Sequence, residues 1–273
     1  MVVFQSQHPI VRHKITLMRK SGTSPKYLRQ LMHEVSSFLC YEATASLALE
    51  ATTVETCAGK TEAGERVAGK IGVVPILRGG LGMVDAMLEQ VTNAQVWHLG
   101  IYRDKSSLLA IEYYNKLPKK VTVHTAFVLD PMPISGATAV AAIDIMKAWG
   151  ASAETPTPFV VKFVCLVAST DARERYALPF CAPRRGWTRP PRARSPARPP
   201  APSLSIDSRP DASAPLTPRA VKLITESHPD VPVHVGLIDN ADQGGATIMP
   251  GMGDIGDRLF GTDATIDGCA MED

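Results

Sequence analysis

Short, almost uninterrupted apolar runs recur along this 273-residue chain and constrain its fold more than any other feature. Each run has the length of one strand, and stretches with helical spacing (81–90 and 137–149) lie between them. Strands that are apolar on both faces and alternate with helices form a parallel sheet flanked by helices. We therefore predict an α/β fold. The runs are 71–77, 95–101, 121–129, 159–168 and 232–238.

Residues 179–219 interrupt this pattern with eleven prolines and eight arginines. They carry a net charge of +6, which leaves −4 for the rest of a chain whose total is +2. Such a composition cannot bury a core, so we expect a disordered insertion within one domain that spans 1–273. It splits a crossover helix that otherwise ends before His228-Pro229. An Arg-rich tail for nucleic acid or a partner is one alternative. We favour a tolerated insertion, or a non-coding stretch that was not removed from the gene.

Cysteine, histidine and apolar content exclude several classes of protein. The five cysteines are scattered without a CxxC pair, and the seven histidines show no metal-ligand spacing. A disulfide or structural metal framework is therefore not expected, and the thiols suit a reducing compartment. The apolar runs are too short to cross a bilayer, and the first residues carry charges where a signal peptide is apolar. We expect a cytoplasmic protein without membrane contact.

Ligands of parallel sheets bind at the carboxyl ends of the strands, so the loops after the runs are the candidate sites. The stretch VLDPMPISGATA (128–139) ends a strand on Asp130 and then offers Ser135, Gly136 and Thr138 before a helix. Hydroxyls and backbone N–H groups at a helix N-terminus can hold a phosphate, and Asp130 can accept hydrogen bonds from sugar hydroxyls. A purely structural turn is the alternative.

Two arginines follow other predicted strands. Arg78 precedes Gly79 and Gly80, which allow close approach of the backbone to a ligand, and Arg103 follows the run 95–101. Either arginine alone could form a surface ion pair. Together with the loop after Asp130, they indicate a ligand with more than one phosphate group.

A fourth candidate lies near the C-terminus, in IMPGMGDIGDRLFGT (248–262). Its glycines and aspartates predict an irregular loop whose backbone reads a flat polar ligand, with Asp254 available to a metal or a hydroxyl. The alternative is a glycine-rich turn with solvated acids.

Six motifs resemble uracil phosphoribosyltransferases, and the likeness covers about 8–178 and 220–262. The most specific are VVPILRGGLGM (73–83) and PGMGDIGDRLFGT (250–262). The others are HPIVRHKITLMRK (8–20), YEAT (41–44), YR (102–103) and DPM (130–132). The resemblance explains why Pro131 follows Asp130, since related enzymes have a second acid there and the uracil-specific branch has Asp-Pro.

The resemblance implies a Rossmann-like type I phosphoribosyltransferase fold, with a small hood formed by the chain ends. It also implies transfer of the phosphoribosyl group of phosphoribosyl pyrophosphate to uracil with Mg²⁺, giving uridine monophosphate in pyrimidine salvage. A homodimer or homotetramer and GTP as a candidate effector are further implications. Nucleic acid is not an expected partner.

The resemblance assigns roles residue by residue. Residues 104–118 would be a mobile arm over the site, and Asp254 would act on Mg²⁺ indirectly. The catalytic residues would be Arg103, Asp130 and Asp254. Phosphoribosyl pyrophosphate would contact Arg78, Gly79, Arg103, Asp130, Pro131, Met132, Pro133, Ile134, Ser135, Gly136, Ala137, Thr138 and Asp254. Uracil would contact Ile248, Gly253, Asp254 and Ile255.

The sequence departs from the family pattern at several of these positions. Pro133 removes one backbone N–H from the phosphate loop, and Ala137 adds a methyl group there. Thr247 stands where an aromatic residue is expected, and Ile255 replaces a small residue beside the base. These changes motivate an alternative: a non-catalytic protein of the same fold that binds nucleotide or phosphoribosyl pyrophosphate as a regulator.

Overall fold

The computed structural model describes residues 3–103, 110–151, 159–169, 220–241 and 248–262. The strands are β1 (Val3–Gln5), β2 (Leu49–Glu55), β3 (Thr61–Val67), β4 (Ile71–Leu77), β5 (Gln95–Val96), β6 (Leu99–Arg103), β7 (Ala110–Asn115), β8 (Thr125–Leu129), β9 (Val160–Ser169), β10 (Val233–Ala241) and β11 (Ile248–Met249). The helices are α1 (Pro9–Met18), α2 (Pro25–Thr44), α3 (Val84–Gln90), α4 (Ala137–Gly150), α5 (Ala220–Ser227) and α6 (Ile255–Phe260), with a 3₁₀ turn at Gly79–Met83.

The main sheet confirms the predicted α/β architecture. Its order is β1-β10-β9-β8-β4-β6-β7, and every pair is parallel except β6 with β7. The run 95–101 forms two strands rather than one. Trp97 and His98 lie outside regular secondary structure and separate β5 from β6. The run 121–129 contributes only its last five residues, as β8.

Apolar side chains cover both faces of the sheet, as the near-continuous runs indicated. Val73 of β4 and Phe127 of β8 pack with α1, α2 and α3 in one cluster. Val74 and Val128, their neighbours in sequence, pack with α4 and α5 in the other. Successive residues of a strand point to opposite faces, so a sheet buried on both sides needs apolar residues at consecutive positions.

The antiparallel hairpin of β2 and β3 forms a separate sheet, which the apolar runs did not predict. Nearly all of its residues are exposed, so no core face imposes an apolar pattern on its sequence. The edge strand β1 was not predicted either, because its three residues are too few to show a periodic pattern.

The two chain ends take different positions around the sheet. Strand β1 joins its edge by pairing with β10, while β11 pairs with the end of β10 and α6 follows it. The prediction of an irregular loop over 248–262 was wrong for 255–260, which is helical. Asp254 caps α6 by accepting the N–H of Asp257 at 3.1 Å, and Gly261 ends it with φ near +66°.

The predicted insertion 179–219 lies outside the described residues, but its surroundings are described. Ser169 Oγ accepts the backbone N–H of Ala220 at 3.2 Å and donates to the carbonyl of Ile134 at 2.5 Å. The last described residue before this gap and the first one after it are therefore in direct contact. Helix α5 then ends before His228, as predicted.

In the part of the chain that the structure describes, no helix combines the length and apolarity needed to span a bilayer.

We propose that residues 179–219 contribute no packing to the domain. Deleting them while keeping 170–178 as the connection should leave the fold intact. Because loop closure costs less for a shorter loop, the free energy of unfolding should stay constant or rise by about 1 kcal/mol. Urea unfolding of the deletion variant and of the full chain, side by side, measures this. A clear loss of stability in the shortened chain would contradict the proposal.

Candidate active site

A cleft of about 690 Å³ opens at the carboxyl ends of the central strands. Three of the four loops singled out in the sequence line it. Arg103 is the last residue of β6, but its side chain lies outside the described part of the chain. Lining residues that were predicted are Arg78, Gly79, Asp130, Pro131, Met132, Pro133, Ile134, Ser135, Gly136, Thr138, Ile248, Gly253, Asp254 and Ile255. Sequence reasoning missed Ile76, Leu77, Ile101, Ala139 and Gly256.

The loop from Asp130 to Gly136 leads from β8 into α4. Ser135 Oγ accepts the N–H of Ala137 at 3.3 Å, and Ala137 itself does not line the cleft. Gly136 precedes the helix with φ near +79°, and a Cβ there would lie 3.0 Å from the backbone of Ala220. Only glycine fits this turn without strain. The first turn of α4 thus faces the cleft, in the geometry that suits a bound phosphate.

Carbonyl groups form most of the backbone hydrogen bonds between this loop and β9, beside the N–H of Asp130, which donates to the carbonyl of Val164 at 3.2 Å. The carbonyl of Pro131 accepts the N–H groups of Leu166 and Val167, both at 3.1 Å, and the carbonyl of Pro133 accepts that of Ser169 at 3.4 Å. Proline lacks a backbone donor but keeps its carbonyl. Pro133, a departure from the family pattern, therefore leaves these anchoring bonds intact.

The loop after β4 packs directly against the loop after β8. The peptide bond between Leu77 and Arg78 is cis. A Cβ on Gly79 would lie 2.9 Å from Pro131 Cγ, and one on Gly80 would lie 2.5 Å from the carbonyl oxygen of Leu129. The two glycines are therefore required by close approach to a neighbouring loop.

Arg78 contacts α6 and the residue that follows its C-cap. Its guanidinium donates to Asp257 Oδ1 at 2.6 Å and to Thr262 Oγ1 at 3.3 Å. The hydrogen bonds from Thr262 and then Arg78 hold the pKa of Asp257 below its usual value. Arg78, which lines the cleft, thus forms a partly exposed ion pair with Asp257, which does not line it. Asp257, the second acid of GDIGD, was not assigned from the sequence, because an irregular loop was predicted where α6 forms.

Residues of the C-terminal segment also line the cleft. Gly253 adopts φ near +71°, and Asp254 is exposed. Ile255 is buried and lies beside the loop after β4, since a Cβ on Gly79 would be 3.5 Å from its Cγ2. Ile248 is also buried and begins β11. The predicted base-binding residues therefore meet the predicted phosphate-binding residues at one cleft.

Asp130 is the carboxylate most affected by its surroundings. Burial raises its pKa to about 6, and the N–H of Met132, which donates to Oδ1 at 3.3 Å, opposes that rise. A half-buried acid that titrates near neutrality at a cleft is typical of a functional site. Within the described ranges, no three His, Cys, Asp or Glu side chains are grouped so that they could hold a metal ion.

Comparison with known proteins identifies the family. The sequence profile described as uracil phosphoribosyltransferase matches residues 5–180 and 214–262. The chain belongs to the uracil phosphoribosyltransferase family. Uracil phosphoribosyltransferases of Roseiflexus sp. (strain RS-1) and Geobacillus kaustophilus are 40% and 34% identical over 260 residues, which is 95% of this chain and 98% of each relative. The profile leaves 181–213 unmatched, within the predicted insertion.

A solved structure supports the same fold. The AQ2163 protein from Aquifex aeolicus superposes with a TM-score of 0.70 at 28% identity, covering 95% of this chain and 98% of that one. The mostly parallel sheet flanked by helices agrees with the fold class expected from the sequence. The expectation drawn from the sequence motifs is thereby confirmed for family and fold.

Asp130 also predicts a dependence of stability on pH. Because its folded pKa is raised, the folded state loses stability as the pH rises from about 4 to about 6, and the loss is complete above that range. Asp130→Asn should therefore be more stable than the wild type at pH 7.5, by no more than about 3 kcal/mol. The advantage should vanish near pH 4. Urea unfolding of both ligand-free proteins across this range measures it, and an advantage that is independent of pH would contradict the assignment.

Proposed function

We propose that this cleft is where the chain, an enzyme of pyrimidine salvage, performs its pentosyl transfer. The phosphoribosyl group of phosphoribosyl pyrophosphate passes to uracil, and the products are uridine monophosphate and pyrophosphate. One observation carries the site assignment: the first turn of α4, Arg78 and the 248–256 segment line a single cleft.

The phosphate loop would hold the 5′-phosphate of the donor. Ser135, Gly136 and Thr138 line the cleft at the first turn of α4, where hydroxyls and free N–H groups favour a dianion. Asp130 stands at the entrance of this loop and would accept hydrogen bonds from the ribose hydroxyls. Such bonds favour the ionised carboxylate, so donor binding should lower the raised pKa of Asp130.

Arg78 and Gly79 would bind the pyrophosphate. Arg78 is half-exposed in the cleft and presents a planar fork of donors to phosphate oxygens. Arg103 is proposed as a second contact to phosphate, at the end of the neighbouring strand β6. Negative charge grows on the pyrophosphate as the anomeric bond breaks, so fixed cations near that group stabilise the transition state.

Uracil would bind beside Ile248, Gly253, Asp254 and Ile255. Gly253 and Asp254 offer backbone polar groups, and the buried Ile248 and Ile255 offer apolar walls. A backbone that reads the two carbonyls and the N–H of uracil disfavours cytosine, whose donor and acceptor pattern differs.

Mg²⁺ is proposed as the cofactor, since phosphoribosyltransferases are generally Mg²⁺-dependent. The cleft fits a Mg²⁺ ion carried mainly by the donor's phosphate oxygens, because Asp130 and Asp254 line it without a third ligating side chain among the described residues. Asp254 would contact the ion indirectly, since its Oδ1 already caps α6. The bound ion would neutralise charge on the departing pyrophosphate.

Water must be kept from the cationic sugar carbon during the transfer. Residues 104–118 are proposed to cover the cleft as a mobile arm. Part of this range, 110–115, is strand β7, which pairs antiparallel with β6 and carries the exposed Tyr113 and Tyr114. The tip, 104–109, lies outside the described residues.

Membership of the uracil phosphoribosyltransferase family supports the catalytic interpretation over the non-catalytic regulator. A homodimer or homotetramer, GTP as an effector and a cytoplasmic location remain proposals. The location is supported by Cys40 and Cys165, which are buried and free, as expected of a reducing compartment.

The first experiment follows conversion of labelled uracil to uridine monophosphate with phosphoribosyl pyrophosphate and Mg²⁺. Wild-type protein should form product, and a chelator should abolish it. Arg78→Ala should raise the KM for the donor about tenfold or more, since hydrogen bonds between charged groups are lost. Arg66→Ala is the matched control, because Arg66 pairs with Glu50 at 2.7 Å on the β2–β3 hairpin, outside the cleft.

Two results would contradict the proposal. Donor binding without any uridine monophosphate would favour the regulator. If Arg78→Ala and Arg66→Ala change the KM for the donor equally, Arg78 does not bind the pyrophosphate.

A further inference from the structure

The loop assigned to uracil is held by a buried acid that does not line the cleft. Asp239 lies near the end of β10, opposite Ser169 of β9, and its side chain is only 6% exposed. Its carboxylate accepts the backbone N–H of Gly251 at 3.3 Å. It also accepts Nη2 of Arg19 at 2.7 Å and 2.6 Å, one distance for each oxygen.

A second charged residue, Arg258, also forms a hydrogen bond to this loop. Arg258 donates from Nη1 to the carbonyl of Met252 at 2.5 Å and from Nη2 to the carbonyl of Lys20 at 2.8 Å. Arg19 and Lys20 are consecutive residues at the end of α1. The end of α1 thus connects to Gly251 through Asp239 and to Met252 through Arg258.

The geometry of the loop makes such support necessary. Gly251 adopts φ near +53°, and a Cβ there would lie 2.2 Å from the carbonyl oxygen of Ile248. A backbone that reads a base by its N–H and carbonyl groups must stay within about 0.5 Å of its productive position. Apolar packing has no preferred direction, whereas hydrogen bonds to a buried carboxylate have one.

Stability alone does not explain the Arg19–Asp239 pair. Desolvation of two charges roughly cancels their attraction, so a buried ion pair is weak evidence for added stability. Its bonds run specifically to the segment before Gly253 and Asp254. The arrangement is that of a support behind a binding loop.

We propose that Asp239, oriented by Arg19, is a positioning residue that fixes the uracil-binding loop. The inference rests on the proposed function, in which residues 248–255 bind the base. It extends that proposal by separating two sets of residues: the phosphate loop and Arg78 determine donor binding, while Asp239 acts on uracil binding alone.

The test uses Asp239→Asn in the full chain. Asparagine has the same shape and can still accept the N–H of Gly251, but its neutral amide binds Arg19 weakly. The KM for uracil should rise about tenfold, as expected for loss of one charged hydrogen bond. The KM for phosphoribosyl pyrophosphate should stay within a factor of about two.

Glu34→Gln is the control variant. It removes the charge from the ion pair of Lys14 and Glu34, which also ties α1 to its surroundings but lies outside the base-binding loop. Both Michaelis constants should stay near wild type in this variant. A parallel rise of both constants in Asp239→Asn, or an equal rise in Glu34→Gln, would overturn the positioning role.

Gly253→Ala separates this inference from the proposed function. Gly253 has φ near +71°, which alanine rarely adopts, so the variant should distort the base site directly. If it raises the KM for uracil and Asp239→Asn does not, only the positioning role fails. If it leaves that KM unchanged, the uracil assignment fails, and the inference with it.

Should Asp239→Asn not fold, Arg19→Gln, which leaves the bond to Gly251 in place, serves as the same test.

Discussion

The close packing of two loops at the carboxyl edge of the sheet is the constraint on which the site depends. Strands β4 and β8 are parallel neighbours, and Pro75 lies opposite Leu129 in their register. The chain must therefore leave both strands at one place, where Gly79 and Gly80 allow it to pass Pro131 and the carbonyl of Leu129. A side chain at either glycine would push these loops apart. The phosphate loop and Arg78 meet in one cleft because of this contact.

Ionisable side chains of both signs line the cleft beside that contact. Arg78 is already held by Asp257 and Thr262, so its guanidinium is oriented before any ligand binds. Asp130 lies on the other side, and burial raises its pKa to about 6. A donor bearing several phosphate groups and ribose hydroxyls offers partners to both. The opposed environments of these two residues agree with the chemistry of phosphoribosyl transfer.

The predicted site residues came together because topology places them there. Asp130 and Arg78 follow apolar runs, and the ends of adjacent parallel strands converge whatever the intervening sequence. The helical form of 255–260 was not foreseen, since glycines and aspartates indicated a loop until the cap formed by Asp254 was seen. Asp257 was missed for the same reason. Its role depends on a helical turn that directs it toward Arg78.

The sequence by itself determined the α/β class, the parallel strands and three of the loops that meet at the cleft. Each of these depends on local periodicity or on short motifs that lie within a few residues of one another. Only the tertiary structure revealed the hydrogen bonds from Asp239 and Arg258 to the loop that we propose binds the base. Arg19 and Asp239 are separated by 220 positions along the chain, and no periodicity links them. Their pairing exists because β10 and the end of α1 reach the same corner of the fold, where a buried charge must find its partner.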